Sequence, residues 1–123
     1  MRITISGSPV PKARARVVNG HAYTPAATLA YARRVTWAAR ETLAEYEPMA
    51  RLSLWKAPLK ITCWFYMPNK RRADLDNLQK AIFDACNGVV FNDDTQIVEA
   101  HAYKCVDRKN PRAVVEITIA EKD

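Results

Sequence analysis

The stretch Leu59-Lys60-Ile61-Thr62-Cys63-Trp64-Phe65-Tyr66-Met67 alternates with a period of two, and Pro68 ends it. Leu59, Ile61, Cys63, Phe65 and Met67 share one face of the predicted strand, with Lys60, Thr62, Trp64 and Tyr66 on the other. Seven residues later the period changes. Leu75, Leu78, Ile82 and Ala85 recur at steps of three and four, which predicts a helix over about 75–87 with Gly88 as its C′ residue. A strand, a basic connector (Asn69-Lys70-Arg71-Arg72-Ala73) and an amphipathic helix thus stand in sequence. They decide that strands and helices share one core.

Working outward from this unit, Ile3 and Ile5 mark a short strand near 2–6, broken by Gly7-Ser8-Pro9-Val10-Pro11. Asn19-Gly20 suits a type I′ turn, so Lys12–Tyr23 reads as a basic hairpin or ordered basic loop. Thr24 as N-cap and Pro25 at the first helical position open a helix running to about Glu47. Its expected buried stripe is Leu29, Ala32, Thr36, Ala39, Leu43 and Tyr46. Residues 48–57 read as a loop or frayed turn. After the apolar run Val89-Val90-Phe91 and the turn Asn92-Asp93-Asp94-Thr95, strands are predicted over 96–106 and 112–120. The order β, β-hairpin, α, β, α, β, β predicts an α+β fold, one domain over 1–123, with a mixed sheet and two main helices on one face. The 123 residues suit one domain.

Apolar residues make up 49% and charged residues 26%, which excludes a disordered chain. No apolar run approaches a membrane span, and the opening residues begin no signal peptide. Three widely spaced cysteines, Cys63, Cys86 and Cys105, argue against a disulfide scaffold and for a reducing cytoplasm, and read as small core residues. His21 and His101 share no zinc-ligand spacing with them. Trp37, Trp55 and Trp64 read as core or dimer contacts rather than as base-stacking platforms.

Charge is unevenly placed. The net charge is +6, yet residues 1–72 carry +10 and residues 73–123 carry −4. The first 40 residues hold seven basic groups and no acid, whereas five Asp and one Lys fall within 74–94. A basic surface attracts a polyanion, and clustered Asp gain nothing beside it unless a cation lies between. Asp74 and Asp76 flank the start of the second helix, and Lys80 shares a helix face with Asp76. The turn holding Asp93 and Asp94 is expected to bring one of that pair back beside them, within one ion's coordination shell. Oxygen-only ligands suit Mg²⁺ or Mn²⁺, which polarise a phosphodiester and activate water, while Lys80 adds positive charge. An N-cap role for Asp76, with Gln79 completing a capping box, is compatible with ligand duty. Asp84 reads as structural. Lys12, Arg14 and Arg16 alternate with no acid nearby in sequence, and Lys70-Arg71-Arg72 directly precede the acidic segment. Both groups read as phosphate contacts.

Arg71-Arg72-Ala73-Asp74-Leu75-Asp76-Asn77-Leu78-Gln79-Lys80, with Phe91-Asn92-Asp93-Asp94-Thr95-Gln96, resembles the RusA family of Holliday-junction resolvases. Gly7-x-Pro9-x-x-Lys12-x-Arg14-x-Arg16 and Tyr23-Thr24-Pro25 resemble that family's opening. The resemblance implies a homodimer that is Mg²⁺- or Mn²⁺-dependent and selective for four-way junction DNA. It places catalytic carboxylates on Asp74, Asp76 and Asp94 and a catalytic lysine on Lys80. Which of Asp93 and Asp94 binds metal stays open. Two rival readings stand beside it: a nuclease of the same chemistry acting on other branched DNA, and a non-catalytic basic DNA-binding protein whose acids cap and turn.

Overall fold

The computed structural model describes residues 1–13, 16–23 and 25–121, with only the backbone of Arg16 and Tyr23. Its elements are β1 (Arg2–Ser6), β2 (Arg16–Val18), β3 (His21–Tyr23), α1 (Ala26–Ala44), α2 (Pro48–Lys56), β4 (Leu59–Met67), α3 (Leu75–Cys86), β5 (Ile97–Val106) and β6 (Arg112–Ile119). A mixed four-stranded sheet has the order β1-β6-β4-β5, and β2 with β3 form a separate hairpin. The fold is α+β, as the sequence predicts.

β4 is the sheet's spine. It pairs antiparallel with β6 (Cys63 opposite Val115) and parallel with β5 (Cys63 opposite Ala102). Leu59, Ile61, Cys63, Phe65 and Met67 are buried, so the period of two predicted the inward face correctly. Ile3 and Ile5 of β1 and Ala113, Val115 and Ile117 of β6 complete that layer. The alternation of β6 predicts Ala113, Val115, Ile117 and Ile119 on one inward face, but Ile119, at the end of the strand, is half exposed. Burial pushes the thiols of Cys63 and Cys86 up to about 12, which makes them inert apolar groups. Cys105, in contrast to the expected core placement, is exposed.

Asn19 and Gly20 both adopt positive φ, 51° and 79°, and Val18 pairs with His21. This is the type I′ hairpin that Asn-Gly favours. Gly88, at φ 77°, occupies the C′ position after α3.

Three expectations for the helices change. The cap residue Thr24 lies outside the described residues, and α1 begins at Ala26 with Pro25 in the cap position. Residues 48–56 are helical (α2) rather than a loop, because Pro48 starts a helix as readily as it stops one. The buried stripe of α1 is Tyr31, Val35, Ala39 and Leu43, at steps of four. Leu29 is 45% exposed. Two apolar stripes run along α1, and contact with β1 and α3 selects the one carrying Tyr31 and Val35. In α3 the buried set is Leu78, Ala81, Ile82 and Cys86.

The choice of stripe is measurable. Val35→Ala removes two fully buried methyls and should lower unfolding stability by about 2 kcal/mol. Leu29→Ala should change it by less than about 0.5 kcal/mol. Urea denaturation of the two variants checks this, and equal losses would contradict the assigned face.

Candidate active site

α3 carries the acidic segment, and its first turn is built by Asp74. Asp74 is the N-cap, its carbonyl accepts from the Leu78 N–H at 3.0 Å, and its carboxylate accepts from Asn77 Nδ2 at 3.5 Å. Asp76 is therefore two positions inside the cap, and the expected capping box with Gln79 does not form. Gln79 instead donates to the His101 carbonyl at 3.2 Å, fastening α3 to β5. Asp74 and Asp76 both lie at the positive end of the helix dipole, which offsets part of their mutual repulsion. Both are exposed, as is Lys80 one turn beyond Asp76. Among the described residues no carboxylate lies within ion-pair distance of Lys80.

Asp93 and Asp94 sit in a 3-10 turn (Asp94–Gln96) held by one side chain. Gln96 accepts from the Asp93 N–H at 3.0 Å and donates to the carbonyls of Leu54 and Ala57 at 3.2 and 2.9 Å. The turn is thereby pinned to the end of α2. The two neighbouring carboxyls shift one another: interaction with Asp93 holds Asp94 above the usual carboxylate range, and interaction with Asp94 holds Asp93 below it. Asp84 raises Asp94 further.

These two acidic groups occupy opposite ends of the unit. Asp74 follows the C-terminal end of β4, whereas Asp94 precedes β5 at the end where Ile97 faces Leu59. Lys104, near the far end of β5, donates to the Ala73 carbonyl at 2.7 Å. Helix α3 alone rises about 15 Å between Asp74 and Asp84. Among the described residues no three His, Cys, Asp or Glu side chains gather closely enough to hold a metal ion. The convergence of Asp74, Asp76 and an Asp of the 93–94 pair is thus not met within one chain. The carboxylates' donor chemistry suits a hard cation, and one chain holds them in two separate groups.

The basic groups divide likewise. Lys12 is not free of acids: it forms an ion pair with Asp84, seventy-two residues away. Its backbone N–H donates to the Asn77 carbonyl at 2.9 Å, so the N-terminal segment lies along α3. Asp84 accordingly has a partner that local sequence could not disclose. Arg14 and the side chain of Arg16 lie outside the described residues. Lys70, Arg71 and Arg72 are exposed beside Asp74. Lys104 joins them at the start of α3. Its place follows from strand pairing, and no sequence spacing signalled it.

With this geometry in place, comparison with known proteins is informative. The family model for endodeoxyribonuclease RusA matches residues 6–118. The chain belongs to the RusA endodeoxyribonuclease family. It is 42% identical over 84 residues to crossover junction endodeoxyribonuclease RusA of Escherichia coli, covering 67% of this chain and 68% of that one. It is 46% identical over 65 residues to the protein of that name from Enterobacteria phage 82, covering 52% of each. RusA family membership covers both acidic groups, because the matched span includes Asp74 and Asp94.

The carboxyl pair offers a metal-free check. With Asp94 raised by Asp93, its side-chain carbon in an NMR titration should move at a higher pH than an ordinary aspartate. Asp93→Asn removes that negative neighbour and should bring the Asp94 midpoint down. An unchanged midpoint would show that the two carboxyls do not share a proton.

Proposed function

We propose that this chain is a divalent-metal-dependent endodeoxyribonuclease that resolves four-way DNA junctions, acting as a homodimer. One observation carries the dimeric form: two carboxylate half-sets lie at opposite ends of α3, alongside an open sheet edge. β5 is that edge, and it is ten residues long. Val98 on it is 64% exposed, and Val106 is also exposed. Long apolar edges of this kind are normally covered. A second copy related by a two-fold axis and laid antiparallel along β5 would set the start of one β5 near the end of the other. Asp94 of one protomer would then approach Asp74 and Asp76 of its partner.

In that arrangement Asp74, Asp76 and Asp94 would hold Mg²⁺ or Mn²⁺, with Asp93 as the alternative to Asp94. The ion, when bound, polarises the scissile phosphodiester and lowers the pKa of a bound water. The chain's own groups do the rest. Lys80, one turn from Asp76 and without an ion-pair partner among the described residues, stabilises negative charge developing on the phosphate. Lys70, Arg71, Arg72 and Lys104 crowd the start of α3 and grip the backbone there. Lys12, Arg14 and Arg16 are assigned to phosphate contacts further along. Lys12 keeps that role because its pairing with Asp84 is exposed, and such pairs contribute at most about 1 kcal/mol. A junction has near two-fold symmetry and is resolved by paired nicks, which a two-fold dimer with two sites matches. Two further features fit a reducing cytoplasm as its compartment: the three cysteines are unpaired, and no described helix is long and apolar enough to cross a membrane.

Two experiments bear on this reading. A synthetic four-way junction should be cut in the presence of Mg²⁺ and left intact with chelator, while linear duplex is spared. Asp76→Asn should abolish cutting yet bind the junction as well or better, because a charge repelling phosphate is gone. Cutting of linear duplex at the same rate would overturn junction selectivity.

The shared site is tested by subunit mixing. Asp76→Asn and Asp94→Asn homodimers should each be inactive. A mixed dimer would contain one doubly damaged site and one fully wild-type site, so nicking of one strand should return. Continued inactivity of purified mixed dimers would place all three carboxylates within one chain.

A further inference from the structure

The outer face of α1 carries a feature that the nuclease reading does not use. Trp37 is 67% exposed. Trp64, by contrast, stacks on Tyr103 with ring centroids 6.1 Å apart, and Trp55 is half buried. Arg33 and Arg40 lie one turn before and one turn after Trp37 on the same face, and both are exposed. Among the described residues neither has a carboxylate within ion-pair distance. Their neighbour Arg34 behaves differently. It donates to the carbonyls of Ser6 and Ser8 at 3.2 and 3.3 Å and lies over the Tyr31 ring at 5.1 Å. Gly7, at φ 94°, leaves the space that guanidinium fills. Arg34 is thus part of the fold, whereas Arg33 and Arg40 are uncommitted. Together with Leu29, Ala32 and Thr36 they border a shallow groove of about 360 Å³ around Trp37.

A helix places Arg33 and Arg40 about 10 Å apart. That spans roughly three steps along a nucleic-acid strand, at 3.4 Å each. An indole between two such cations is a stacking platform for a base whose strand is held by phosphates on either side. Bases inside an intact duplex are already stacked and offer no free face. Only a branch point, an end or a single strand does. Resting on the reading of this chain as a junction resolvase, we infer that Trp37 stacks on an unstacked base at the branch point, with Arg33 and Arg40 on phosphates about three steps apart on either side of it. Trp37 is then a specificity-determining residue, distinct from the metal-binding carboxylates. The occupant is DNA because the face is net cationic: Arg33 and Arg40 flank the indole, and Glu41, one turn beyond Trp37 in the neighbouring groove, offsets one of those charges only.

The test is metal-free binding, with chelator present so that no strand is cut. A four-way junction and a linear duplex of the same arms serve as probes. Trp37 is exposed, so Trp37→Ala should fold as the wild type does. It should lose about tenfold or more in affinity for the junction and less than twofold for the duplex. Trp37→Phe should restore most of the junction affinity. Arg33→Ala with Arg40→Ala should weaken both probes and lower the log–log salt slope by about 1.8 on the duplex. Equal losses on the two probes, no loss for Trp37→Ala, or conversion of Trp37→Ala to a monomer in sedimentation would each overturn the inference. A wild type that binds junction and duplex equally would overturn this inference and junction selectivity together. A wild type that prefers the junction while Trp37→Ala keeps that preference would overturn this inference alone.

Discussion

Parallel pairing of β4 with β5 is the constraint on which the rest of the structure depends. Two parallel strands cannot be joined by a tight turn, so the chain must travel back the full length of the sheet between them. α3 makes that return, with Leu78, Ala81, Ile82 and Cys86 buried in the common core. Asp74 is thereby left where the helix begins and Asp94 where the next strand is about to start. The distance between them is a consequence of topology and cannot be closed by rotating side chains. For these carboxylates to meet at one ion, a second copy must bring them together.

The same crossover leaves β5 as an edge. Its inner neighbour β4 is covered on the helix side by buried apolar residues, yet Val98 and Val106 remain exposed. The open strand and the divided carboxylates are therefore two results of one chain path. In the proposed dimer, packing and chemistry would be completed at the same seam.

Charge follows a comparable logic. The N-terminal basic segment carries no acid of its own, but the fold supplies one: Lys12 meets Asp84 across seventy-two residues. Arg34 is spent on backbone carbonyls and Tyr31, while Arg33 beside it stays open to solvent. A count of basic residues could not separate a structural arginine from an available one, because both occupy the same helix one residue apart. Local pattern was more informative where one face is plainly apolar. β4 was legible at every inward position. α1 was not, since Leu29 and Tyr31 both begin plausible stripes and only contact with β1 and α3 selects between them. Pro48 was ambiguous for a similar reason, as proline ends one helix and begins the next with equal ease.

By itself the sequence determined the kinds of groups present and their local setting: an alternating strand, an Asn-Gly hairpin, a helix opened by two aspartates with Lys80 one turn beyond, and an Asp pair in a turn. These follow from interactions over a few residues, where backbone geometry leaves little choice. Its RusA-like motif also identified the family. Tertiary structure alone decided which strand pairs with which, and in which direction. It decided that Asp84 answers Lys12, that Lys104 reaches the start of α3, and that Asp74 and Asp94 stand at opposite ends of one protomer. Those outcomes depend on contacts between residues far apart in the chain. They are selected by burial of the whole apolar layer, and no spacing within a short segment encodes them.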